Sequence, residues 1–247
     1  MNTEQILLDL YPEKAVGGFT RVDGTIQFYQ RVNALIGPND VLLDLGAGRG
    51  VAHQDREGSY KTKLMNFRGR CGRVIGIDID PAVYSNPSLD EARLIEDSGI
   101  FPCDDNSVDL VLSDYTFEHV EDPTIFSREI SRVLKPGGWL CARTPNKFGY
   151  ISLGANLIPN SQHKNLLRVL QPNRKELDVF PTRYRLNSRR DLSKHFPDKE
   201  WNHFTYTWNA EPAYFGSSKA VWRAAICIFA LLPPSLRATL MIFSQKV

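Results

Sequence analysis

Val41-Leu42-Leu43-Asp44-Leu45-Gly46-Ala47-Gly48-Arg49-Gly50 is the stretch whose reading decides the fold. An apolar run of strand length carries a carboxylate near its end and passes into three glycines on alternate positions. Glycine has no Cβ, so the chain can bend sharply there and bring backbone N–H groups close to a bound small molecule. Taken alone, Gly-x-Gly-x-Gly fits a plain strand-to-helix turn equally well, and the surrounding sequence has to decide.

Four further runs follow the same pattern. Arg73-Val74-Ile75-Gly76-Ile77-Asp78-Ile79-Asp80 is apolar and ends in acid, as a site that grips the two hydroxyls of a ribose requires. Leu94-Ile95-Glu96-Asp97-Ser98 is a third short run, and Val108 to Asp114 a fourth strand. A fifth, Trp139 to Asn146, follows the turn Leu134-Lys135-Pro136-Gly137-Gly138. Strands alternating with helical segments favour a mainly parallel sheet covered on both faces.

In this order the motifs resemble those of the class I S-adenosylmethionine-dependent methyltransferases of small-molecule type. The matching elements are Asp44 to Gly50, Glu118-His119-Val120 and Leu134-Lys135-Pro136-Gly137-Gly138, and the resemblance runs from about Val41 to Asn146. It implies an α/β, Rossmann-like, doubly wound sheet of seven mainly parallel strands with an antiparallel last strand. It also implies S-adenosylmethionine as the methyl donor. By that resemblance Asp44 and the backbone of Gly46, Ala47, Gly48 and Gly50 suit the methionine amino group, and Asp78 the ribose hydroxyls. Asp97 and the Ser98 N–H would then meet the adenine edge, Ile79 would pack on the ring, and Asp80 would cap the turn into Pro81. Arg21 or Tyr29 from the N-terminal arm is the local choice for the donor's carboxylate.

Methyl transfer is a one-step displacement, so alignment matters more than acid–base machinery and is worth roughly 7 to 11 kcal/mol. A hydroxyl acceptor also benefits from a base, typically worth about 10² to 10⁴ in rate. The segment after the fourth strand borders both donor and acceptor in the resembled fold, which makes Asp114, Tyr115 and His119 the catalytic candidates. His119 titrates near neutrality when unperturbed, although Glu118-His119-Val120 also reads as an entrance that orients the next helix. Some quinone-pathway members of the family carry Glu-x-x-Glu-His for a metal. Tyr115 replaces the first Glu here, so no essential metal is expected.

Ligands of such sheets bind beyond the carboxyl ends of the strands, which puts Thr144-Pro145-Asn146 in the acceptor pocket. The polar, aromatic and proline-punctuated stretch that follows adds Tyr150, His163, Arg183, Tyr184 and Arg185. Aromatic rings there would cover a sugar or planar group, and arginines would pair with carboxylate or phosphate. Tyr214 and Phe215 are similar candidates near the sixth strand.

The 247 residues suit one domain, with an N-terminal helical arm over 1–40 and a donor-binding core over 41–146. A substrate-side insertion over 147–200 and C-terminal strands and helix over 201–247 complete it. Ile26 to Ile36 has helical periodicity, Pro123 to Val133 reads as a helix ended by Gly137-Gly138, and Phe204 to Trp208 and Thr239 to Ser244 read as the last strands. Asp78 stands 28 residues beyond Gly50, where roughly 20 is usual, so a segment rich in Lys61, Lys63, Arg68 and Arg70 is inserted. It reads either as a solvated loop or as a flap that selects an anionic substrate.

A net charge of +2 supplies no field to hold nucleic acid, and four scattered cysteines without a Cys-x-x-Cys pair argue against zinc or a disulfide framework. The start lacks the order of a secretory signal, and a cytoplasmic location is expected. Ala224 to Leu232 is too short to span a membrane and reads as a buried helix; a role at a membrane surface would use Trp222, Ile226, Phe229 and Leu232. The resulting expectation is methyl transfer to oxygen or nitrogen of a small molecule, a sugar or a biosynthetic intermediate. A non-catalytic donor-binding scaffold is the alternative, and the spacing after Gly48 departs from the dinucleotide fingerprint of oxidoreductases.

Overall fold

In the structure, a computed structural model, residues 3–50, 59–156, 181–212, 216 and 218–247 are described. His163, Tyr214, Phe215 and the start of the basic insertion lie outside them. Helices α1 (Thr3–Leu10) and α2 (Gly24–Leu35) form the N-terminal arm. The core then runs β1 (Val41–Leu45), α3 (Tyr60–Met65), β2 (Arg73–Asp78), β3 (Glu91–Leu94), β4 (Val108–Asp114), α4 (Pro123–Val133) and β5 (Leu134–Pro145). After it come α5 (Tyr150–Asn156), α6 (Arg189–His195), β6 (Trp201–His203), β7 (Tyr206–Trp208), α7 (Lys219–Leu231) and β8 (Thr239–Lys246).

The sheet order is β3-β2-β1-β4-β5-β8-β6, with β7 also on β8. β1 to β5 are parallel, and β8 lies antiparallel between β5 and the edge. β6 and β7 keep one register against β8, so together they form a single interrupted edge lane, and the sheet has the seven lanes the resemblance implies. The sixth lane begins earlier than Phe204, at Trp201.

Period-2 alternation sorts the side chains into two layers. Leu43, Leu45, Ile75, Ile77, Val111, Leu140, Ala142, Leu240 and Ile242 pack with Ile130 and Val133 of α4 and Leu192 of α6. Leu42, Val74, Leu110, Leu112, Cys141, Met241 and Phe243 pack with Ile26, Phe28, Tyr29 and Val32 of α2 and Leu64 of α3. Leu186, Leu192 and Phe196 join the first layer, so the last part of the 147–200 segment belongs to the core rather than to a loop over the site. α2 starts cleanly because the Asp23 carboxylate accepts from the N–H of Thr25 and Ile26.

Three local expectations are corrected. The third strand ends at Leu94, so Ile95 to Ser98 form the turn beyond it. Helix α4 stops at Val133 without help from glycine. Gly137 and Gly138 instead form a bulge: β5 spends Leu134 to Trp139 where β4 spends Val108 to Leu110. Gly137 takes φ +78°, and a Cβ on Gly138 would press on the Asp109 carbonyl. Helix α7 is not a buried helix: Val221, Ile228 and Leu231 are exposed. Trp222 and Ala225 are its buried residues and Ile226, Phe229 and Leu232 are half-buried, so the face expected for lipid is the one turned inward.

Candidate active site

β1 is flanked by β2 and by β4, so the chain order reverses beside it, and the crevice at the carboxyl ends of such strands is where ligands bind in open α/β sheets. Alternation then fixes which side chains reach it. Asp44 follows the parity of Leu42, Asp78 that of Val74, Asp114 that of Leu112 and Arg143 that of Cys141. All four ionic groups therefore stand on the α2 side of the sheet, at the tips of four successive lanes.

The glycine turn is braced by this neighbourhood. Gly46 N donates to the Ile77 carbonyl at 2.8 Å, and Gly48 N to Asp78 Oδ2 at 2.8 Å. Asn86 Nδ2 donates to the carbonyls of Ala47 and Gly48, at 2.9 and 3.2 Å. Gly46 has φ +78° and a Cβ there would overlap the Thr116 hydroxyl, whereas Gly48, at φ +49°, faces open space. Gly50 takes φ +71° with Asn86 beside it. Asp78 Oδ1 accepts from Asp80 N at 2.9 Å, and Asp80 caps the short 3₁₀ turn from Pro81 by accepting from Ala82 N. Ile79 is 65% exposed over the mouth, and Asp97 and Ser98 are exposed in the turn after β3.

Loss of water pushes the Asp44 carboxyl up to about 7, and the neighbouring charges of Asp114 and Asp78 push the same way. Three carboxylates thus converge on a cradle that lacks an equal number of cations. A positively charged small molecule fits that donor set.

Asp114 has its own cation. Arg143 Nη2 donates to Asp114 Oδ2 at 2.8 Å, Nε donates to Oδ1, and Nη1 reaches Thr25 Oγ1 at 3.1 Å. Tyr29 O–H donates to Asp114 Oδ2 at 3.0 Å. Burial disfavours the charge on Arg143, but the facing Asp114 outweighs it and holds the pKa above its ordinary value. The rings of Tyr115, Phe28 and Tyr29 surround the guanidinium, with centroids 5.0, 5.5 and 5.6 Å away. Burial, then the Asp114 charge, raises the Tyr29 phenol well above its usual value. Tyr115 adopts φ +57°, uncommon for a bulky residue, and its N–H is tied to the Arg143 carbonyl at 2.9 Å.

The next residues clamp the returning chain. The Glu118 carbonyl accepts from Arg183 N and Tyr184 N, at 2.6 and 3.2 Å, and the buried Glu118 side chain accepts from Thr144 Oγ1 at 2.9 Å. Asn187 Nδ2 donates to Thr144 Oγ1 at 2.7 Å. Burial raises the Glu118 pKa. His119 Nδ1 donates to the Pro181 carbonyl at 3.0 Å, which makes Nε2 the proton-accepting nitrogen. Arg183 pairs with Glu121 at 2.6 Å, and Arg185 donates to the Glu121 carbonyl.

Several residues named from the sequence have other partners. Arg21 is held in the arm by both oxygens of Glu13, each at 3.0 Å, and lies over the Tyr11 ring. Asn146 is buried and donates to the Ser235 and Arg237 carbonyls at 2.9 and 2.8 Å, while its Oδ1 accepts from Phe148 N. It ties β5 to the chain entering β8. Tyr150 packs on Phe229, with centroids 4.7 Å apart. In the basic insertion, Lys61 pairs with Asp23, Arg68 with Asp90, and Arg70 with carbonyls of Lys63 and Asn66. Sequence reasoning missed Arg143 and Asn187, and with them the hydrogen bonds that join Glu118, Thr144 and Asn187. The signal for Arg143 was an arginine inside an apolar strand, which demands a buried partner.

No helix among the described residues is long and apolar enough to cross a membrane, and they hold no cluster of three or more metal-ligating side chains.

Comparison with known proteins agrees with this geometry. Residues 43–142 match a family model described as a methyltransferase domain. A probable S-adenosylmethionine-dependent methyltransferase of Mycolicibacterium smegmatis is 33% identical over 129 residues, 49% of this chain and 44% of that protein. A demethylmenaquinone methyltransferase of Staphylococcus aureus is 28% identical over 136 residues, 51% of this chain and 55% of that one. The chain spans about half the length of these curated relatives. The geranyl diphosphate C-methyltransferase of Streptomyces coelicolor, solved with S-adenosyl-L-homocysteine, superposes with a TM-score of 0.53 at 18% identity. That match covers 90% of this chain and 76% of the other, and it bears on the fold. The strand order and the glycine turn agree with the similarity of residues 43–142 to a methyltransferase domain.

Proposed function

We propose that this protein binds S-adenosylmethionine and transfers its methyl group to an oxygen or nitrogen of a small-molecule acceptor, a sugar or a biosynthetic intermediate. The observation that carries the reading is the cradle of Asp44, Asp78 and Asp114, in which burial, aided by the two neighbouring carboxylates, raises the Asp44 pKa to about 7. When bound, S-adenosylmethionine supplies a methyl carbon activated by a positively charged sulfur.

In this reading Asp44 and the Gly46 to Gly50 turn receive the amino group, and Asp78 the ribose. Asp97, Ser98 and Ile79 take the adenine. Asp114 is locked by Arg143 and Tyr29, so its part is to hold charge and shape at the mouth rather than to remove a proton. His119 Nε2 is the better proton acceptor for a hydroxyl, because the Pro181 carbonyl fixes the tautomer and the ring orientation. Tyr115, with Tyr184 and Tyr150, supplies aromatic walls for the acceptor, and the clamp on Arg183 to Asn187 holds that side of the mouth in place.

The test combines donor-binding calorimetry with transfer of a radiolabelled methyl group to a broad metabolite panel. Uptake of S-adenosylmethionine and S-adenosylhomocysteine, with label appearing in an acceptor, is the expected result. His119→Ala should keep donor affinity and lose about 10² to 10⁴ in kcat. Folded protein that takes up neither compound overturns the reading. Uptake without transfer to any acceptor favours the scaffold alternative.

A further inference from the structure

Helix α7 occupies an unusual place for an apolar helix. β7 and β8 are antiparallel neighbours, with Trp208 opposite Thr239, so residues 209–238 are an excursion from a hairpin rather than a crossover over the sheet face. Thr239 also stands opposite Pro145, at the carboxyl end of β5, so the excursion leaves the sheet at the end where the candidate site opens.

The inner side of α7 is occupied. Trp222 is buried, with its indole N–H on the Gly216 carbonyl, and Phe229 packs at a tilt on Tyr150. Its outer side carries Val221, Ala224, Ile228 and Leu231 at helical spacing, and Val221, Ile228 and Leu231 are 43%, 58% and 85% exposed. Leu153, on the neighbouring α5, is exposed as well. A single exposed aliphatic residue is ordinary, but a stripe along one helix marks an interaction surface. At 13 residues the helix is too short to cross a bilayer and long enough to lie on one.

Charge selects the occupant. Residues 212–247 contain no Asp or Glu. Arg223 is exposed beside the stripe, and Lys219 is paired with Asp9 of α1. Beyond the carboxyl end of α7, a cleft of about 230 Å³ between Phe148, Pro234 and Ser235 is lined by the exposed Arg189 and Arg190. With no carboxylate in this stretch to meet a basic partner, an anionic lipid surface matches both the apolar stripe and the cations beside it. We propose that the outer face of α7 docks on an anionic lipid bilayer, with Arg189, Arg190 and Arg223 against headgroups and the mouth of the site turned toward the membrane. Docking stands apart from methyl transfer, and the methyltransferase reading is needed only to say that an acceptor would then be drawn from the membrane.

The test is flotation of the full chain with vesicles of phosphatidylcholine alone and of phosphatidylcholine with phosphatidylglycerol. Binding to the anionic vesicles is expected, with strong loss at about 0.5 M salt. Ile228→Asp/Leu231→Asp should weaken it at least about tenfold, and Arg189→Ala/Arg190→Ala by roughly tenfold, with melting temperature and donor binding unchanged. Wild-type protein that stays off anionic vesicles overturns the proposal. So does undiminished flotation of the Ile228/Leu231 variant, including the case in which those substitutions split a dimer seen by light scattering.

Discussion

Arg143 and Asp114 face each other as Cα partners on adjacent parallel strands, and the guanidinium of one forks the carboxylate of the other, with Nη2 and Oδ2 2.8 Å apart. The charge of β5 is therefore cancelled by the lane beside it, and Tyr29 closes the pair from α2.

Removing one member alone should be costly. Arg143→Met leaves Asp114 in the mouth without its cation and is expected to lower stability by about 3 to 5 kcal/mol in urea titrations. Asp114→Asn/Arg143→Met should recover most of that loss while failing to restore turnover. Arg143→Lys keeps the charge but not the fork, and should fall between the two.

The Asp44 carboxyl titrates at about 7 in the folded chain against an ordinary value of 3.8. The native state therefore keeps a proton that the unfolded chain has released between about pH 4 and pH 7, and stability falls as pH rises through that window. Asp44→Asn should melt higher than wild type at pH 8 and alike at pH 4. Donor affinity should fall at least about tenfold, read by calorimetry. In wild type, donor binding near neutrality should release protons, visible as a dependence of the measured heat on the buffer.

Two glycines of the turn should respond differently to alanine. At Gly46 a Cβ meets the Thr116 hydroxyl in addition to the positive φ, so Gly46→Ala is expected to cost about 2 to 3 kcal/mol in urea. At Gly48 nothing stands within 4 Å, so only the left-handed backbone is penalised, by about 1 kcal/mol. Thr116→Ala should partly relieve the first substitution and leave the second unchanged.

Asn146 distinguishes a fastening role from an acceptor contact. Asn146→Ala strands the carbonyls of Ser235 and Arg237 and should lower the urea midpoint by an amount equivalent to about 1 to 3 kcal/mol. Donor affinity measured in the same preparation is expected to stay at the wild-type level.

Much of this could be read in the amino acids because the signals are local. A strand ending in acid followed by glycines places Asp44 and Asp78 without knowledge of any partner, and the order of the runs gives the sheet. What escaped depends on contacts distant in the chain. Asn146 looks like a pocket residue until Ser235 and Arg237, some ninety residues on, are seen to consume its amide. The two faces of α7 are both apolar, so periodicity could not tell that Trp222 turns inward and Leu231 outward. The run Leu94 to Ser98 contains enough aliphatic residues to pass for a strand, yet pairing with β2 is complete at Leu94 opposite Asp78.

The common parity of Asp44, Asp78, Asp114 and Arg143 ties chemistry to register. A slip of one residue in any of these lanes would send its ionised group into the oily layer under α4 and α6 and put an aliphatic group in the mouth. A misaligned sheet would thus be inactive and unstable for one and the same reason, so quality control that removes unstable chains also removes those with a scrambled site.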